Sequence, residues 1–277
     1  MHRRRLLASA VGAAGVLAGC TARVPFGSET VPEREHPERP NALDSESVVD
    51  YVTEYEAVRA HNALRGEDVT EVNLSAEATL EYEAAGGYHL SARHAGSVYS
   101  RRDGNESVGE VYSDRVPYRV TTEETRRASV SRESVEDPLT PEPDENGGEA
   151  EDGDEAEDGD GETGDDGGEG EAVDAPLDIR LVNFADETAT IDLSVEHDGE
   201  PIHESTRALD ADEAVVVTDL AAVAGEYRVV AAVELGEITG NARISMTLPD
   251  VERGPNVEVA VTSDGTVARG LSGAALI

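Results

Sequence analysis

Lysine is missing from this 277-residue chain, so all 22 basic residues are arginine, set against 60 Asp and Glu for a formal net charge of −38. Tryptophan is also missing, aromatic residues make up 4 %, and the one cysteine is Cys20. Each shortage excludes something. With no basic patch to release counterions from phosphates, nucleic-acid binding is disfavoured. Without lysine there is no phosphate-binding loop. With Cys20 in the N-terminal signal region, the mature body has no disulfide, no thiolate metal cage and no catalytic thiol. So few aromatic side chains leave the core to Val, Leu, Ile and Ala. That supply suits two small cores better than one large one, and the length accommodates about two domains of roughly 100–150 residues.

Acid is spread along the whole mature chain. Residues 41–137 hold 20 acids against 10 Arg, and residues 177–277 hold 19 against 6. Folded surfaces this acidic repel themselves in dilute buffer. At molar salt the Debye length falls to about 3 Å and most of that repulsion vanishes. An acidic, lysine-free, Ala/Val-rich chain is therefore the expected product of a salt-loving organism.

The N-terminus reads Met1-His2-Arg3-Arg4-Arg5-Leu6-Leu7, followed by an uncharged run through Gly19. That run is too short for a membrane span, which needs about 20 apolar residues. It fits a signal peptide over 1–19, with Arg3, Arg4 and Arg5 as the twin-arginine recognition element. Leu17-Ala18-Gly19-Cys20 follows. This tetrapeptide resembles the lipobox of lipoproteins, in which cleavage precedes the cysteine and its sulfur receives lipid. Lipid on Cys20 predicts a protein anchored to the outer face of the cytoplasmic membrane without spanning it.

Four prolines (Pro25, Pro32, Pro37, Pro40) among charges make 20–40 a stiff tether. Residues 41–137 predict an α+β domain. Asp44 or Ser45 caps a helix carrying Val48, Tyr51, Val52, Tyr55 and Val58 at helical spacing, with Gly66 as its C-cap. Val72, Leu74, Ala76, Ala78, Leu80 and Tyr82 then alternate with polar residues as a half-buried strand. Gly86-Gly87 turns into Tyr88, Leu90 and Ala92, and Asp103-Gly104 marks a further turn. Val116, Tyr118 and Val120 make a third strand and 124–132 a fourth. One helix on an antiparallel sheet buries both apolar faces. Residues 138–176 carry 17 acids, no base and nine glycines, the composition of a disordered acidic linker.

Residues 177–270 read as all-β, with 271–277 as a tail. Leu177, Ile179 and Leu181 alternate, as do Ile191, Leu193 and Val195. An Asp198-Gly199 hairpin turn places Ile202 opposite Val195. Val215 and Val217, Tyr227 to Val233, Ile244 to Leu248 and Val257 to Val261 complete about seven short strands, the count of an immunoglobulin-like sandwich. The segment Ala224-Gly225-Glu226-Tyr227-Arg228-Val229 resembles the glycine–any–tyrosine strand of Ig-like surface modules. Signal, lipobox, acidic body and spacer together resemble the twin-arginine-exported lipoproteins of haloarchaea, many of which have no assigned activity.

Catalytic and metal patterns are missing. Carboxylates are too abundant for any pair to point to acid–base chemistry. His89 and His94, five apart, fall on opposite faces of a strand, and His197 and His203 fall on opposite faces of their hairpin. Acids in the linker miss the calcium-loop spacing, and a blue-copper site needs a cysteine ligand. No nucleophile elbow is present, since Gly270-Leu271-Ser272-Gly273 has the wrong spacing. Two N-glycosylation sequons, Asn73-Leu74-Ser75 and Asn105-Glu106-Ser107, are accessible by pattern. No metal and no cofactor is expected. The reading is a membrane-anchored extracellular binding or scaffolding lipoprotein, not an enzyme, whose partners are the membrane through Cys20 and an extracellular protein or glycan. An extracellular hydrolase and a transporter's solute-capture lipoprotein are the alternatives. The acidic surfaces predict that circular dichroism will show loss of structure as salt is lowered below molar levels. An unchanged spectrum in dilute buffer would contradict the salt-adapted reading.

Overall fold

The computed structural model describes residues 30–141, 172–249 and 256–270. Arg3, Arg4, Arg5, Cys20, the middle of the acidic linker and the tail lie outside the described residues. The described chain is mostly β with one helix. Its elements are α1 (Ser45–Ala63), β1 (Val69–Ala84), β2 (Gly87–Arg102), β3 (Asn105–Tyr112), β4 (Val116–Val120), β5 (Thr125–Arg127) and β6 (Ser129–Ser134). There follow β7 (Ala172–Asn183), β8 (Ala189–His197), β9 (Glu200–Leu209), β10 (Glu213–Val223), β11 (Gly225–Leu235), β12 (Ile238–Leu248), β13 (Asn256–Thr262) and β14 (Gly265–Gly270).

The helix starts where expected. Asp44 accepts from the Ser47 backbone N–H at 2.8 Å while its own N–H donates to Ser47 Oγ at 3.0 Å, a reciprocal capping box. It ends at Leu64, not at Gly66: Leu64 N–H donates to the Ala60 carbonyl, and Gly66 accepts from Val69 in the following turn. The tether is docked over its described part. Val31 is buried, its carbonyl accepts from Arg65 Nε at 2.9 Å, and Asn62 bonds both the N–H and the carbonyl of Arg34. Proline-rich chain cannot join a ladder, but its carbonyls remain open to side chains from the helix end.

Three sheets stack behind the helix. The first has the order β1-β2-β4-β5, with β3 beside the outer half of β2. Val48, Tyr51 and Val52 of α1 pack on Leu90, Ala92, Val116, Tyr118 and Val120 of this sheet. The β1–β2 register shifts between Leu80 and Tyr82. Before the shift Leu80 faces the helix; after it Tyr82 pairs with His89 and faces the other way. A bulge re-aims the side chains that follow it, so the uninterrupted alternation expected through Tyr82 does not hold. β2 runs to Arg102, well past the expected Ala92, and β3 was not anticipated. Of residues 124–132, expected as a fourth strand of the first sheet, Thr125–Arg127 pair there with β4, while Ser129–Ser134 pair instead with β10 in parallel.

The second sheet has the order β14-β13-β7-β10-β6 and the third β12-β11-β8-β9. Leu177, Ile179, Leu181, Val215, Val217, Val257, Val259 and Val261 face the third sheet across the largest core. The alternate residues Val182, Ala214 and Ala260 pack with Phe184 and Ala128 on the side of the first sheet, and Val216 packs on Tyr82 and Val130. The second sheet is thus buried on both faces, which is why Ala214 to Val217 and Val257 to Val261 read as near-continuous apolar runs. The linker expected over 138–176 is shorter among the described residues: Leu139 bridges Ala221, and β7 begins at Ala172. In the β8–β9 hairpin a bulge after Val195 places His203 opposite Val195, where Ile202 was expected. His197 and His203 consequently share a face.

β6 binds the sandwich as a strand, and the first and second sheets share buried side chains. Cleavage at a protease site engineered between residues 150 and 165 should therefore leave 30–141 and 172–270 eluting together in gel filtration. Separate elution in molar salt would show that the seam does not hold.

Candidate functional site

Two buried carboxylates organise the seams between layers. Glu56, on the buried face of α1 and fully buried, ties four elements together. Arg59 on the helix grips it through two nitrogens at 2.8 and 2.9 Å, and Tyr118 on β4 donates its hydroxyl. His94 Nδ1 on β2 lies 2.8 Å away, and Arg127 Nε on β5 donates at 3.2 Å. Burial alone would raise the Glu56 pKa. The hydrogen bonds from Arg59 and Tyr118 and the charge of Arg127 outweigh it, holding the carboxyl at about 2. Burial, with the carboxylate beside it, pushes the Tyr118 hydroxyl far upward.

Glu258 on β13 occupies the seam between the first and second sheets. Arg180 on β7 donates to it at 2.6 Å, Tyr82 donates its hydroxyl, and His89 Nδ1 lies 3.7 Å off. Arg180 also donates to Ser91 Oγ at 3.3 Å. His89 stacks on Tyr82 with ring centroids 4.4 Å apart and meets Phe184 edge-on at 5.8 Å. Burial again works to raise the carboxyl, and the Arg180 charge with His89 and Tyr82 holds it at about 2. Tyr82 is driven well above its ordinary value by burial and by Glu258. Around this seam Arg119 pairs with Asp264 at 3.0 Å and Arg126 with Asp186 and Asp212.

His89 and His94 face opposite ways, as their spacing implies, and each meets a different buried carboxylate. His197 Nε2 sits 3.2 Å from the Ala224 carbonyl, and His203 Nε2 3.1 Å from Ser205 Oγ. Among the described residues no group of three or more His, Cys, Asp or Glu is placed to hold a metal.

The open surface lies elsewhere. Beyond the second sheet the outer halves of β1 and β2 continue with β3 as a three-stranded wing. Opposed residues Glu71, Tyr99 and Val108 form one row on its outer face; Asn73, Ser97 and Glu110 form the next, and Ser75, Ala95 and Tyr112 a third. Two open recesses mark this face, about 500 Å³ beside Tyr99 and Val108 and about 380 Å³ beside Arg93 and Tyr112. Both sequon asparagines are exposed, Asn73 on this face and Asn105 at the tip of the wing. Asn73 sits mid-face with its amide donating to Glu71 at 2.8 Å, and Asn105 follows the turn at Asp103 and Gly104, both in the left-handed region.

Sequence patterns did not single out Glu56, Arg180 or Glu258, and they gave Tyr82 and Tyr118 only as apolar strand positions. A usable signal was present for two of them: Glu258 is the lone charge in Val257–Val261, and Arg180 is the lone base in Leu177–Val182, beside Asp178. A buried charge is retained only when paired, so each calls for the other. Compared with known proteins, the chain matches no protein-family model, no curated protein and no solved structure.

Both carboxyls lie below their ordinary value of 4.5, so each stabilises the fold fully above that pH and loses its contribution as pH falls toward about 2. Each is worth on the order of 3 kcal/mol. Glu56→Gln should cost about 3 kcal/mol at pH 7 and show a shallower loss of stability between about pH 4.5 and 2 than the parent. Denaturant unfolding at several pH values measures this; equal slopes would show that Glu56 does not titrate with the fold.

Proposed function

We propose that this protein is a lipid-anchored extracellular binding module, held through Cys20 and engaging a partner with the wing of β1, β2 and β3. One observation carries the reading: among the described residues, three of the four large apolar side chains left exposed lie on one face of that wing, the fourth being Ile238 at the start of β12. Tyr99, Val108 and Tyr112 are 40 %, 61 % and 72 % exposed. Tyrosine offers rigid amphipathic contact area at small entropic cost, and the Ser and Asn side chains between these residues supply adaptable hydrogen bonds. Glu56, Glu258, Tyr82 and Tyr118, all with strongly shifted acidity, are committed to packing seams, which supports binding over catalysis.

The second and third sheets act as an Ig-like sandwich behind the wing. Supporting this, Tyr227 is buried and its hydroxyl donates to the Val223 carbonyl at 2.7 Å, four residues back on the chain. That bond has the form of the tyrosine corner of such sandwiches. On this reading the α+β part presents the contact face and the sandwich stiffens it. The signal at 1–19, with Arg3 to Arg5, delivers the folded chain to the outer face of the membrane.

A photo-cross-linking residue in place of Tyr99 or Tyr112, in intact cells at molar salt, should give discrete adducts that the same residue at Asp192 on the sandwich does not. Adducts at neither wing position would overturn the wing as the contact surface. Cys20→Ser should release the protein to the medium or leave it unprocessed; full membrane retention with a matured N-terminus would place the anchor elsewhere.

A further inference from the structure

We infer that the wing binds by strand addition: the outer edge of β3 accepts an extended peptide whose central apolar residue is flanked, two positions to either side, by basic residues. This rests on the binding reading and names the partner's chemistry.

The edge is open. β3 pairs with β2 alone among the described residues, and β4, with β5 outside it, begins only after β3 has ended. Arg102 and Asn105 close a two-residue turn, so the exchanged backbone bonds fall at 102↔105, 100↔107, 98↔109 and 96↔111. The intervening residues, Glu106, Val108, Glu110 and Tyr112, point their N–H and carbonyl groups away from β2. All four are exposed. Natural edges are blunted with lysine, proline, inward charge or bulges. β3 carries no proline and no base, and its pairing with β2 is in register throughout. By contrast, the edge of β1 away from β2 is broken by two register shifts.

The side chains define what fits. On the outer face β3 presents, in order, Glu106, Val108, Glu110 and Tyr112. A strand laid alongside meets them directly opposite, where apolar pairs and opposite charges stabilise and like charges destabilise. The matching strand therefore carries a base, an apolar residue, a base and an aromatic or apolar residue at alternate positions. A second copy of this chain is the wrong occupant. Antiparallel pairing of two β3 strands sets Glu106 of one directly against Glu110 of the other when centred on Val108, and sets Val108 against Glu110 or Glu106 when centred one residue to either side. Arg101 already pairs with Glu106, and Tyr112 donates to Glu110 at 3.1 Å. The acids are thereby held in place while each keeps an oxygen for an incoming base. The two recesses flanking Tyr99 and Tyr112 take the partner's outward side chains.

The test is titration of the full chain, in molar salt, with capped eight-residue peptides. The first alternates threonine with arginine, valine, arginine and tyrosine; the second replaces both arginines with glutamate. The arginine peptide should bind roughly tenfold or more tightly than the glutamate peptide. Glu106→Arg combined with Glu110→Arg should invert that preference, an outcome that a misfolded variant cannot mimic. Val108→Pro removes an outward N–H without touching the β2 ladder and should abolish uptake of the arginine peptide. Equal binding of both peptides, an uninverted preference, or concentration-dependent dimers of the parent built on β3 would each overturn the inference. Cross-links at Tyr99 and Tyr112 without peptide uptake would overturn strand addition and leave binding by the wing standing. Peptide uptake without cross-links would support strand addition and overturn the wing as the contact surface in cells.

Discussion

Placing a carboxylate and a guanidinium in the seam between two sheets costs several kcal/mol per ion before their attraction is counted. Arg180 and Glu258 nevertheless sit there, directly opposite one another in the parallel pairing of β7 and β13. Both neighbours of each along the strand, Ile179 and Leu181 or Val257 and Val259, face the sandwich core. A one-residue slip of β13 would turn Glu258 into that core while Arg180 stayed in the seam, leaving two unpaired buried charges. A wrong register is thereby excluded far more firmly than by valine alone, since slipped valines still meet apolar surroundings on a sheet buried on both faces. The remaining stack depends on this register. Val182, Ala214 and Ala260 reach the first sheet, and Tyr82 and His89 find the carboxylate, only if β7 and β13 sit as they do.

Glu56 does for the helix what Glu258 does for the sandwich. Its partners come from α1, β2, β4 and β5, so docking of the helix and pairing of three strands converge on one carboxylate. The two clusters stand on opposite faces of the first sheet, and the bulge after Leu80 lets one strand serve both. Leu80 packs beneath the helix, and Tyr82, two residues on, donates into the other seam. Ion pairs at the rim, such as Arg119 with Asp264, are exposed on their acid side and are worth less. The buried pairs set the geometry and the rim follows it.

Elements with one clear period could be read directly. Val48, Tyr51 and Val52 announced α1, and Tyr227 to Val233 announced β11, because each presents a single buried face. Two features escaped. The sequence of β3 is polar on one face and only sparsely apolar on the other, Val108 and Tyr112 among acids, so neither template matches it. Residues 124–132 read as one further strand of the first sheet, but the segment splits at Ala128: β5 stays with β4 and β6 leaves for β10, although Val130 still packs toward the helix core as well as both smaller clusters. Period shows that a segment is a strand; it does not show which sheet receives it. The candidate contact face lay in the same blind spot. Its residues are conspicuous only once pairing puts Tyr99, Val108 and Tyr112 on one side.

The docked stretch of tether bears on where that face would stand. Val31 and Glu33 are held by Arg65, just beyond the end of α1, and Asp68, three residues on, pairs with Arg102 at the tip of the wing. The chain thus enters the body at the same end from which the wing projects. With lipid on Cys20, Thr30 lies ten residues beyond the anchor, a reach of at most about 35 Å when fully extended. A tether free through Pro40 would reach about twice as far. On an anchored chain, docking residues 30–40 along the helix would shorten the leash and hold the point of entry, at the end from which the wing projects, within that shorter reach of the bilayer. A partner strand would then have to be presented close to the membrane surface. The sandwich, entered through the linker and joined to the first sheet by β6 and the Glu258 cluster, works on this geometry as a fixed support for the wing.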